Sequence, residues 1–538
     1  MRTSGILLPV SSLPTRYGIG GFSDEAFEFV DRLEEAGQSW WQVLPLGPTG
    51  YGDSPYQSFS TFAGNPYYIS LDKLREEGLL TTEECEEADC GQNPEYVDYE
   101  KIYFSRFKVL KKAFDRFERE SQGQDELEAF CEKNRDWLAD YALYMAIKNS
   151  RGGEEWSRWP AELKDRDPEA LKAAESELQT EVKYYCFLQF EFAKQWRALK
   201  DYANGKKIGI IGDIPIYVAM DSADCWAGRE LFQFDSDGKP SGVAGCPPDA
   251  FSADGQLWGN PLYNWDYHRQ TGYRWWIRRM KRCAELYDSV RIDHFRGFAG
   301  YYSIPFGAPN ARNGHWEKGP GIDLFHAIQS ELGDQNYIAE DLGFLTDDVV
   351  EMVKETGYPG MKVLGFAFDG SPDNGYLPDH YEKNCVVYTG THDNETIVGW
   401  FRNLNRKGRA FAKKYLGHRV VPEEDFVRLA LMSVANLAII PVQDYLGLGD
   451  EARINEPSTL GDNWRWRLVP GQFDAHTAGR IRELTEISDR LPARERKEKT
   501  KDKEDRGKNR NNSIKYSTND STKDDTNDST KDSTKDSV

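Results

Sequence analysis

The chain has 538 residues, 39% of them hydrophobic, and a formal net charge of −21, and its basic residues form no cluster in the part of the chain that is expected to fold. These values allow one large domain or several smaller ones, and they argue against nucleic acid and anionic membranes as partners. No apolar stretch reaches the roughly 18–20 residues of a transmembrane helix, and the apolar run at the N-terminus is too short for a secretory signal. Eight scattered cysteines without zinc spacing favour reduced thiols, and we therefore expect a cytoplasmic protein.

Short runs of β-branched and aromatic residues recur, each followed by polar or glycine residues and then by a helical stretch. Eight such runs are strand candidates: residues 5–13, 40–48, 207–218, 288–298, 336–343, 361–370, 384–396 and 437–447. Amphipathic stretches at 24–37, 272–287 and 346–357 predict helices between them. Eight alternating strand and helix units predict a closed (β/α)₈ barrel in the α/β class. An open doubly wound sheet is the competing architecture, but no Gly-x-Gly-x-x-Gly loop supports it.

Two segments interrupt this alternation, and we interpret both as insertions in a domain of residues 1–495. Residues from about 65 to 205, after the second strand, are rich in Glu, Lys, Ala and Leu and predict a mostly helical insertion, with one helix near 180–203. Residues 220–272, after the third strand, are rich in Gly, Pro, Trp and Asp and predict a loop insertion near the site. Since no strand-rich stretch follows residue 449, we expect no separate C-terminal β-domain.

The composition changes at about residue 496. Residues 496–538 consist mainly of Lys, Asp, Ser, Thr and Asn in near-repeats such as STKDDTNDSTKDSTKDSV. A segment with so little apolar content cannot bury enough surface to fold, and we therefore expect a disordered, low-complexity tail.

Functional groups in a (β/α)₈ barrel lie at the carboxyl ends of the strands. Those ends carry acids and histidines with one arginine and no lysine: Asp213, Arg291, Asp293, His294, Glu340, Asp341, Asp369, His392, Asp393 and Glu395. A solvated rim would mix acids with lysines, so this ring indicates a site. Two chemistries use such a ring: hydrolysis by a divalent metal held by acids and histidines, and glycosidic cleavage by paired carboxyls.

Aromatic residues and one arginine favour glycosidic cleavage. Of the 15 Trp, 28 Tyr and 27 Phe residues, many would fill core volume, but several lie in loop-like segments such as 51–68 and 256–265, where exposed rings suit the apolar faces of a sugar. Arg291 precedes Asp293 by two residues and is therefore on the same side of the strand. A cation there keeps a carboxylate nucleophile ionised, whereas it would repel a metal ion.

Longer motifs follow one another along nearly the whole part of the chain that is expected to fold. They are LPVSSLPTRYGIG (8–20), DSPYQSFSTFAGNPYYI (53–69), GDIPIYVAMDSAD (212–224), PPDAFSADGQLWGNPLYNW (247–265), RIDHFRGF (291–298), AEDLG (339–343), THDNET (391–396) and EPSTLGDNWRWR (456–467). With these motifs the chain resembles, from residue 5 to about 492, the amylomaltases or disproportionating enzymes of glycoside hydrolase family 77 in the α-amylase superfamily.

The resemblance implies a 4-α-glucanotransferase, which moves a segment of an α-1,4-glucan to the 4-hydroxyl of glucose or another α-1,4-glucan by a retaining double displacement. Asp293 would be the nucleophile, Glu340 the general acid and then the base, and Asp393 the carboxylate that holds the 2- and 3-hydroxyls of a distorted sugar. The family pattern selects Glu340 over its neighbour Asp341. No metal or other cofactor is expected.

The resemblance also implies a groove for glucan substrates such as maltooligosaccharides, amylose, starch or glycogen. Asp213, His294 and His392 would bind sugar hydroxyls at the cleavage point, although a structural role is the alternative for the histidines. Trp258 belongs to a loop, residues 247–265, that would fold over the site and exclude water. The full set of substrate-binding candidates is Ser54, Tyr56, Asp213, Trp258, Arg291, His294, Asp369, His392 and Asn463.

Three other functions remain open from the sequence. An α-amylase-type hydrolase would use the same nucleophile and acid, and differs in that water accepts the sugar. A catalytically silent glucan-binding barrel would not need three close, mutually repelling acids. A metal-dependent hydrolase would lose activity to a chelator.

Overall fold

The computed structural model describes residues 2–50, 52–120, 123–248, 252–343, 345–459, 461–493 and 495. The predicted tail from residue 496, and residues 249–251 of the predicted loop over the site, lie outside the described residues. By internal contacts the chain forms two units, residues 1–490 and 491–538, and all elements below belong to the first. None of the described helices is long and apolar enough to cross a bilayer.

The strands of the described residues form two sheets. They are β1 (Thr3–Leu7), β2 (Trp40–Gln42), β3 (Gly209–Pro215), β4 (Gly242–Cys246), β5 (Gln256–Pro261), β6 (Ser289–Asp293), β7 (Gly300–Pro305), β8 (His315–Lys318), β9 (Tyr337–Ala339), β10 (Gly360–Val363), β11 (Cys385–Tyr388) and β12 (Leu437–Pro441).

Eight parallel strands form the larger sheet, in the order β10-β11-β12-β1-β2-β3-β6-β9. Each overlaps one of the eight predicted strand segments. The order follows the chain, so β9 and β10 meet where the sheet closes, and the N–H of Ala339 donates to the carbonyl of Pro359 there at 3.0 Å. The prediction of a (β/α)₈ barrel is confirmed, and the open doubly wound alternative is wrong.

Both faces of the barrel strands are buried, which is why these strands appear in the sequence as nearly continuous apolar runs. The interior is filled by alternate side chains from neighbouring strands, among them Leu7, Ile211 and Val386. The positions in between face outwards to the helices; at one of them, Gly212, the backbone lies so close to the ring of Tyr287 that a Cβ would come within 2.3 Å of it. The barrel interior is therefore a packed core, and the site can lie only at its rim.

Helices surround the barrel and form most of the segment between β2 and β3. They are α1 (Asp24–Glu35), α2 (Leu71–Glu76), α3 (Thr82–Glu86), α4 (Tyr99–Glu120), α5 (Gln124–Lys133), α6 (Arg135–Ser150), α7 (Ala161–Lys164), α8 (Pro168–Glu177), α9 (Gln179–Gly205), α10 (Ala223–Ala227), α11 (Trp265–Gln270), α12 (Arg274–Leu286), α13 (Ile322–Leu332), α14 (Asp347–Thr356), α15 (Ile397–Asn403), α16 (Arg406–Leu416), α17 (Pro422–Met432), α18 (Val442–Leu446) and α19 (Ala475–Ile487). The four predicted helices coincide with α1, α9, α12 and α14.

Helix α14 shows why these segments start and stop where they do. Asp347 and Asp348 lie in its first turn, where carboxylates face the positive end of the helix dipole. Its buried residues Val349 and Met352 are three positions apart and form the face that packs inwards. The helix ends at Gly357, whose φ of 70° is left-handed and costs a glycine little.

A second, antiparallel sheet has the order β5-β4-β7-β8 and was not predicted from the sequence. Strands β4 and β5 come from the insertion after β3, whereas β7 and β8 follow β6. In the register, Val243 pairs with Ile304 and Ala244 with Ser303, so the pairing joins residues about sixty positions apart. Among the described residues, no strand follows β12.

Candidate active site

Asp293 and Glu340 lie at the carboxyl ends of two neighbouring barrel strands. Ile292 of β6 is in register with Ala339 of β9, so the next pair along the strands is Asp293 and Glu340. The N–H of Glu340 donates to the carbonyl of Ile292 at 3.1 Å. Adjacent strands lie about 4.8 Å apart, and both side chains are on the inward-facing side of their strands. This is the arrangement of side-by-side carboxyls that retaining glycosidases use, with a separation of about 5–5.5 Å.

Arg291 lies directly beneath Asp293 in the same strand. Its Nη2 is 3.0 Å from Oδ1 of Asp293, as the two-residue spacing predicted. Its Nη1 donates to both carboxylate oxygens of Asp213, at 2.9 and 2.7 Å. The arginine is only 3% exposed, so its charge acts on the two carboxylates with little solvent screening.

Asp213 is the clearest correction to the predicted binding residues. It was expected to bind sugar hydroxyls, but its side chain is completely buried and is not part of the cleft lining. Besides Arg291 it accepts a hydrogen bond from the hydroxyl of Tyr56 at 3.0 Å. The position of Asp213 at a strand end could not predict its burial, because both of its carboxylate oxygens bind the buried Arg291 of the neighbouring strand β6. Asp213 therefore orients Arg291 and Tyr56 from below.

Glu340 is held in a place that disfavours its charge. Burial and the nearby carboxylate of Asp293 raise its pKa to about 7, although Arg291 acts in the opposite direction. Its Oε2 accepts from the N–H of His294 at 2.7 Å and its Oε1 from the N–H of Leu342 at 2.9 Å, which fixes the carboxyl. A carboxyl with such a pKa can carry a proton at neutral pH and give it to a leaving oxygen.

Asp393 lies after β11 in surroundings that favour its charge. Burial opposes ionisation, but His392 and a hydrogen bond from Asn455 outweigh it, and the pKa falls to about 2. Nε2 of His392 is 3.3 Å from Oδ2, and Nδ2 of Asn455 donates to Oδ1 at 2.7 Å. Arg453 donates to the backbone carbonyl of Asp393 at 2.8 Å. Asn455 and Arg453 were missed from the sequence; the one signal was that they come directly before the motif at 456–467.

These residues surround a cleft of about 910 Å³ at the barrel rim, between the barrel and the antiparallel sheet. This volume suits several sugar rings. Ten of the twelve predicted site residues line it: Ser54, Tyr56, Trp258, Arg291, Asp293, His294, Glu340, His392, Asp393 and Asn463.

The two histidines of the cleft each keep one buried ring nitrogen without a hydrogen-bond partner among the described residues, Nε2 of His294 and Nδ1 of His392. Burial lowers the pKa of His294 to about 3, so the ring is neutral. His294 also adopts a left-handed φ of 54°, which places its ring at 4.8 Å from that of Trp258. Buried polar atoms of this kind need a partner, and a sugar hydroxyl could provide one.

Two predicted groove residues have other surroundings than expected. Asp369 is exposed on the loop after β10, does not line the cleft, and accepts the N–H of Ser371 at 2.7 Å. Asn463 lines the cleft, but its amide bonds within its own loop, to Glu456 and Thr459. Asn463 thus shapes the loop, and Asp369 caps a turn.

Among the described residues, no group of three His, Cys, Asp or Glu side chains is arranged to hold a metal ion.

Comparisons with known proteins find relatives over most of the chain. A family model described as 4-alpha-glucanotransferase (glycoside hydrolase family 77) matches residues 8–471. The chain is 49% identical over 484 residues to a 4-alpha-glucanotransferase of Clostridium butyricum, and this alignment covers 89% of the present chain and 99% of the relative. It is 46% identical over 494 residues to one of Streptococcus pneumoniae, with 91% and 98% covered. The structure of an amylomaltase from Streptococcus agalactiae in complex with acarbose superposes with a TM-score of 0.90 at 41% identity, over 91% of this chain and 100% of that one.

Proposed function

Because this chain belongs to the 4-alpha-glucanotransferase family, glycoside hydrolase family 77, we propose that Asp293, Glu340 and Asp393 carry out its transfer of α-1,4-glucan segments. The activity itself is that of a 4-alpha-glucanotransferase, as in relatives that match nearly the whole described chain. The observation that carries the residue roles is the pair of inward carboxyls at the ends of β6 and β9, one beside a buried arginine and the other with a pKa of about 7.

In the first half of the reaction, the Asp293 carboxylate attacks the anomeric carbon of the sugar at the cleavage point. Glu340 gives its proton to the glycosidic oxygen, so the leaving segment departs with a free 4-hydroxyl. The electron pair of the broken C–O bond stays on that oxygen, and a covalent glycosyl-enzyme remains. Arg291 holds the attacking carboxylate in position through its 3.0 Å ion pair.

In the second half, the 4-hydroxyl of an acceptor sugar gives its proton to the Glu340 carboxylate and displaces Asp293. Two inversions give net retention of the α configuration. Asp393, whose pKa of about 2 keeps it ionised at neutral pH, accepts hydrogen bonds from the 2- and 3-hydroxyls of the sugar, and these bonds strengthen as the ring distorts. His294 and His392 offer their unpartnered nitrogens to the same sugar.

Transfer requires that a sugar reach the glycosyl-enzyme before water does. The cleft is roofed on one side by β5, which carries Trp258, and by the strands paired with it. A sugar held against such a roof displaces water and has a high effective concentration at the anomeric carbon. This arrangement supports transfer over the α-amylase type of hydrolysis.

Incubation with pure maltotriose, followed by chromatography of all products, tests the proposal. We expect glucose together with maltopentaose and longer chains, without a rise in total reducing ends. Asp293→Asn should lower turnover by several orders of magnitude and leave the fold intact, because it removes the nucleophile. A rise in reducing ends without longer products would mean hydrolysis, and comparable turnover in Asp293→Asn would exclude it as the nucleophile.

We further propose that the natural substrates are soluble α-1,4-glucans of the cytoplasm, without a role for nucleic acid or membrane. None of the eight cysteines, all of which lie within the described residues, forms a disulfide bond, as suits a reducing compartment. Cell fractionation tests the location: recovery of the protein with the membrane pellet or in the medium would contradict it.

A further inference from the structure

Trp316 is an exposed aromatic residue inside the active-site cleft, and the reaction described above gives it no role. It lies in β8, at the edge of the antiparallel sheet, and is 45% exposed although its side chain lines the same cleft as Asp293 and Glu340. Leaving a tryptophan so exposed gives up hydrophobic free energy, and large apolar groups at the rim of a cleft commonly mark a contact with a ligand.

The indole is held in place by the protein. The guanidinium carbon of Arg296 lies 4.1 Å from the centre of the ring, a cation–π contact, and the ring of Tyr302 meets it edge-on at 5.2 Å. Tyr302 of β7 and Trp316 of β8 are direct partners in the register. The aromatic surface is thus fixed before a ligand arrives, so little side-chain entropy would be lost on binding.

Arg296 connects this ring to the acid–base residue. Arg296 belongs to the short helical turn Phe295–Phe298, and His294, which directly precedes that turn, donates its backbone N–H to Glu340 at 2.7 Å. Glu340 exchanges its proton with the leaving segment and then with the acceptor in the proposed reaction. Because Trp316 is held by Arg296, next to the segment that holds Glu340, we place the ring on the acceptor side of the cleft.

We propose that Trp316 is the stacking surface for an outer sugar of the acceptor, its second or a later ring, and that it sets the preference for longer acceptors. The assignment rests on the proposed function, in particular on Glu340 as the acid and base. A pyranose ring has an apolar face of C–H groups that packs on an indole, while its hydroxyls at the edge stay in water or bond to neighbouring groups. Glucose, with a single ring, would not reach Trp316.

The test uses α-maltosyl fluoride as donor, with glucose or maltotriose as acceptor, and compares the parent enzyme with Trp316→Ala. Fluoride leaves with the C–F electron pair as Asp293 bonds to the anomeric carbon, so the initial burst of fluoride, before a second donor molecule or an added acceptor takes the sugar, reports the first half-reaction alone. We expect that rate to change less than twofold. The maltotriose concentration at half-maximal transfer should rise roughly three- to tenfold, as for the loss of one stacking contact. The value for glucose should change less than twofold.

Two further variants separate stacking from a general effect on the sheet. Trp316→Tyr keeps an aromatic face and should recover most of the maltotriose affinity. Phe306→Ala removes an aromatic residue that is 53% exposed just after β7 but does not line the cleft, and it should behave as the parent. Equal loss for glucose and maltotriose, unchanged maltotriose affinity, or a higher donor KM in Trp316→Ala would overturn the proposal. Failure of the proposed function would instead show in the parent, as fluoride release without transfer or no release at all.

Discussion

The two sides of the cleft treat a carboxyl group in opposite ways. At the ends of β6 and β9, burial and the charge of Asp293 raise the pKa of Glu340 to about 7. At the end of β11, His392 and Asn455 overcome burial and lower the pKa of Asp393 to about 2. Among the described residues, the donors to the Glu340 carboxyl are backbone N–H groups, whereas Asp393 receives side-chain donors, one of which can be positively charged. The environment thus decides which acid carries a proton and which stays charged.

This difference matches the two tasks of the proposed reaction. A general acid must hold a proton near neutral pH and lose it easily, which a buried carboxyl next to another carboxylate does. A carboxylate that accepts hydrogen bonds from two sugar hydroxyls must remain an acceptor through both halves of the reaction, so it must stay deprotonated. Substitutions at Glu340 or around Asp393 should abolish this difference in pKa, and they follow from the largest expected effect to the smallest.

Glu340→Gln should give the largest loss, because it removes the exchangeable proton while keeping the size of the side chain. We expect turnover of maltotriose to fall by about 10²–10⁴-fold. With α-maltosyl fluoride, whose leaving group needs no protonation, the first burst of fluoride should remain close to that of the parent. Asp341→Asn is the matched control: Asp341 is the next residue, accepts the N–H of Met361 at 2.7 Å and does not line the cleft. A lost burst in Glu340→Gln would assign Glu340 another role.

Asn455→Ala breaks the other side of the contrast. It removes the 2.7 Å hydrogen bond to Asp393 and one of the causes that lower its pKa. Since a hydrogen bond to a charged group contributes about 1.5–3 kcal/mol, we expect kcat to fall roughly 10–100-fold with a smaller change in KM. Asn384→Ala, an exposed asparagine that bonds to the carbonyl of Gly357, is the control. An unchanged kcat would show that His392 is sufficient to hold Asp393.

The pH dependence of kcat/KM should show the pKa of Glu340 and no titration of Asp393 near neutral pH. Above pH 7 we expect a fall of about tenfold per pH unit, because the first half-reaction needs protonated Glu340 and that fraction declines. Asp393 should give no limb above about pH 3, since its pKa is about 2. The basic limb should be absent from the residual activity of Glu340→Gln and retained in Asp341→Asn. A basic limb that persists in Glu340→Gln would place the titrating group elsewhere.

The barrel was predictable from the sequence because its strands are local signals. Each barrel strand is a short apolar run between polar segments, and strands such as β11 and β12 are buried on both faces. The antiparallel sheet lacked such a signal. Strand β4 (GVAGC) contains two glycines in five residues, and its partner β7 lies about sixty residues further along the chain. Pairing between such distant segments leaves no periodicity to find.

The site was predictable to the extent that strand ends converge. That rule brought Asp293, Glu340 and Asp393 into one cleft, and the two-residue spacing placed Arg291 beneath Asp293. It failed for Asp213, because no pattern in β3 shows that the arginine of β6 turns towards it. It also missed Asn455, which lies in an irregular loop and reaches Asp393 only in the folded chain.

Stability should follow the same contrast with opposite signs. The pKa of Glu340 is about 7 in the fold against 4.5 ordinarily, so its ionisation costs the fold stability as pH rises from 4.5 through 7. Glu340→Gln should therefore raise the free energy of unfolding by ~1–3 kcal/mol at pH 8 and change it little at pH 4. Asp393 has the opposite sign. Its pKa is lowered from 3.8 to about 2, so its charge stabilises the fold above pH 3.8 and that contribution is lost as pH falls through 2. Asp393→Asn should therefore lower the free energy of unfolding at pH 7, by ~1 kcal/mol or less because 38% of the side chain is exposed and screened by solvent. Thermal unfolding of both variants at pH 4 and pH 8 measures the two signs. A destabilised Glu340→Gln at pH 8 would mean that the carboxyl is ionised at no cost in the fold, and the two sides of the cleft would then not differ as the structure indicates.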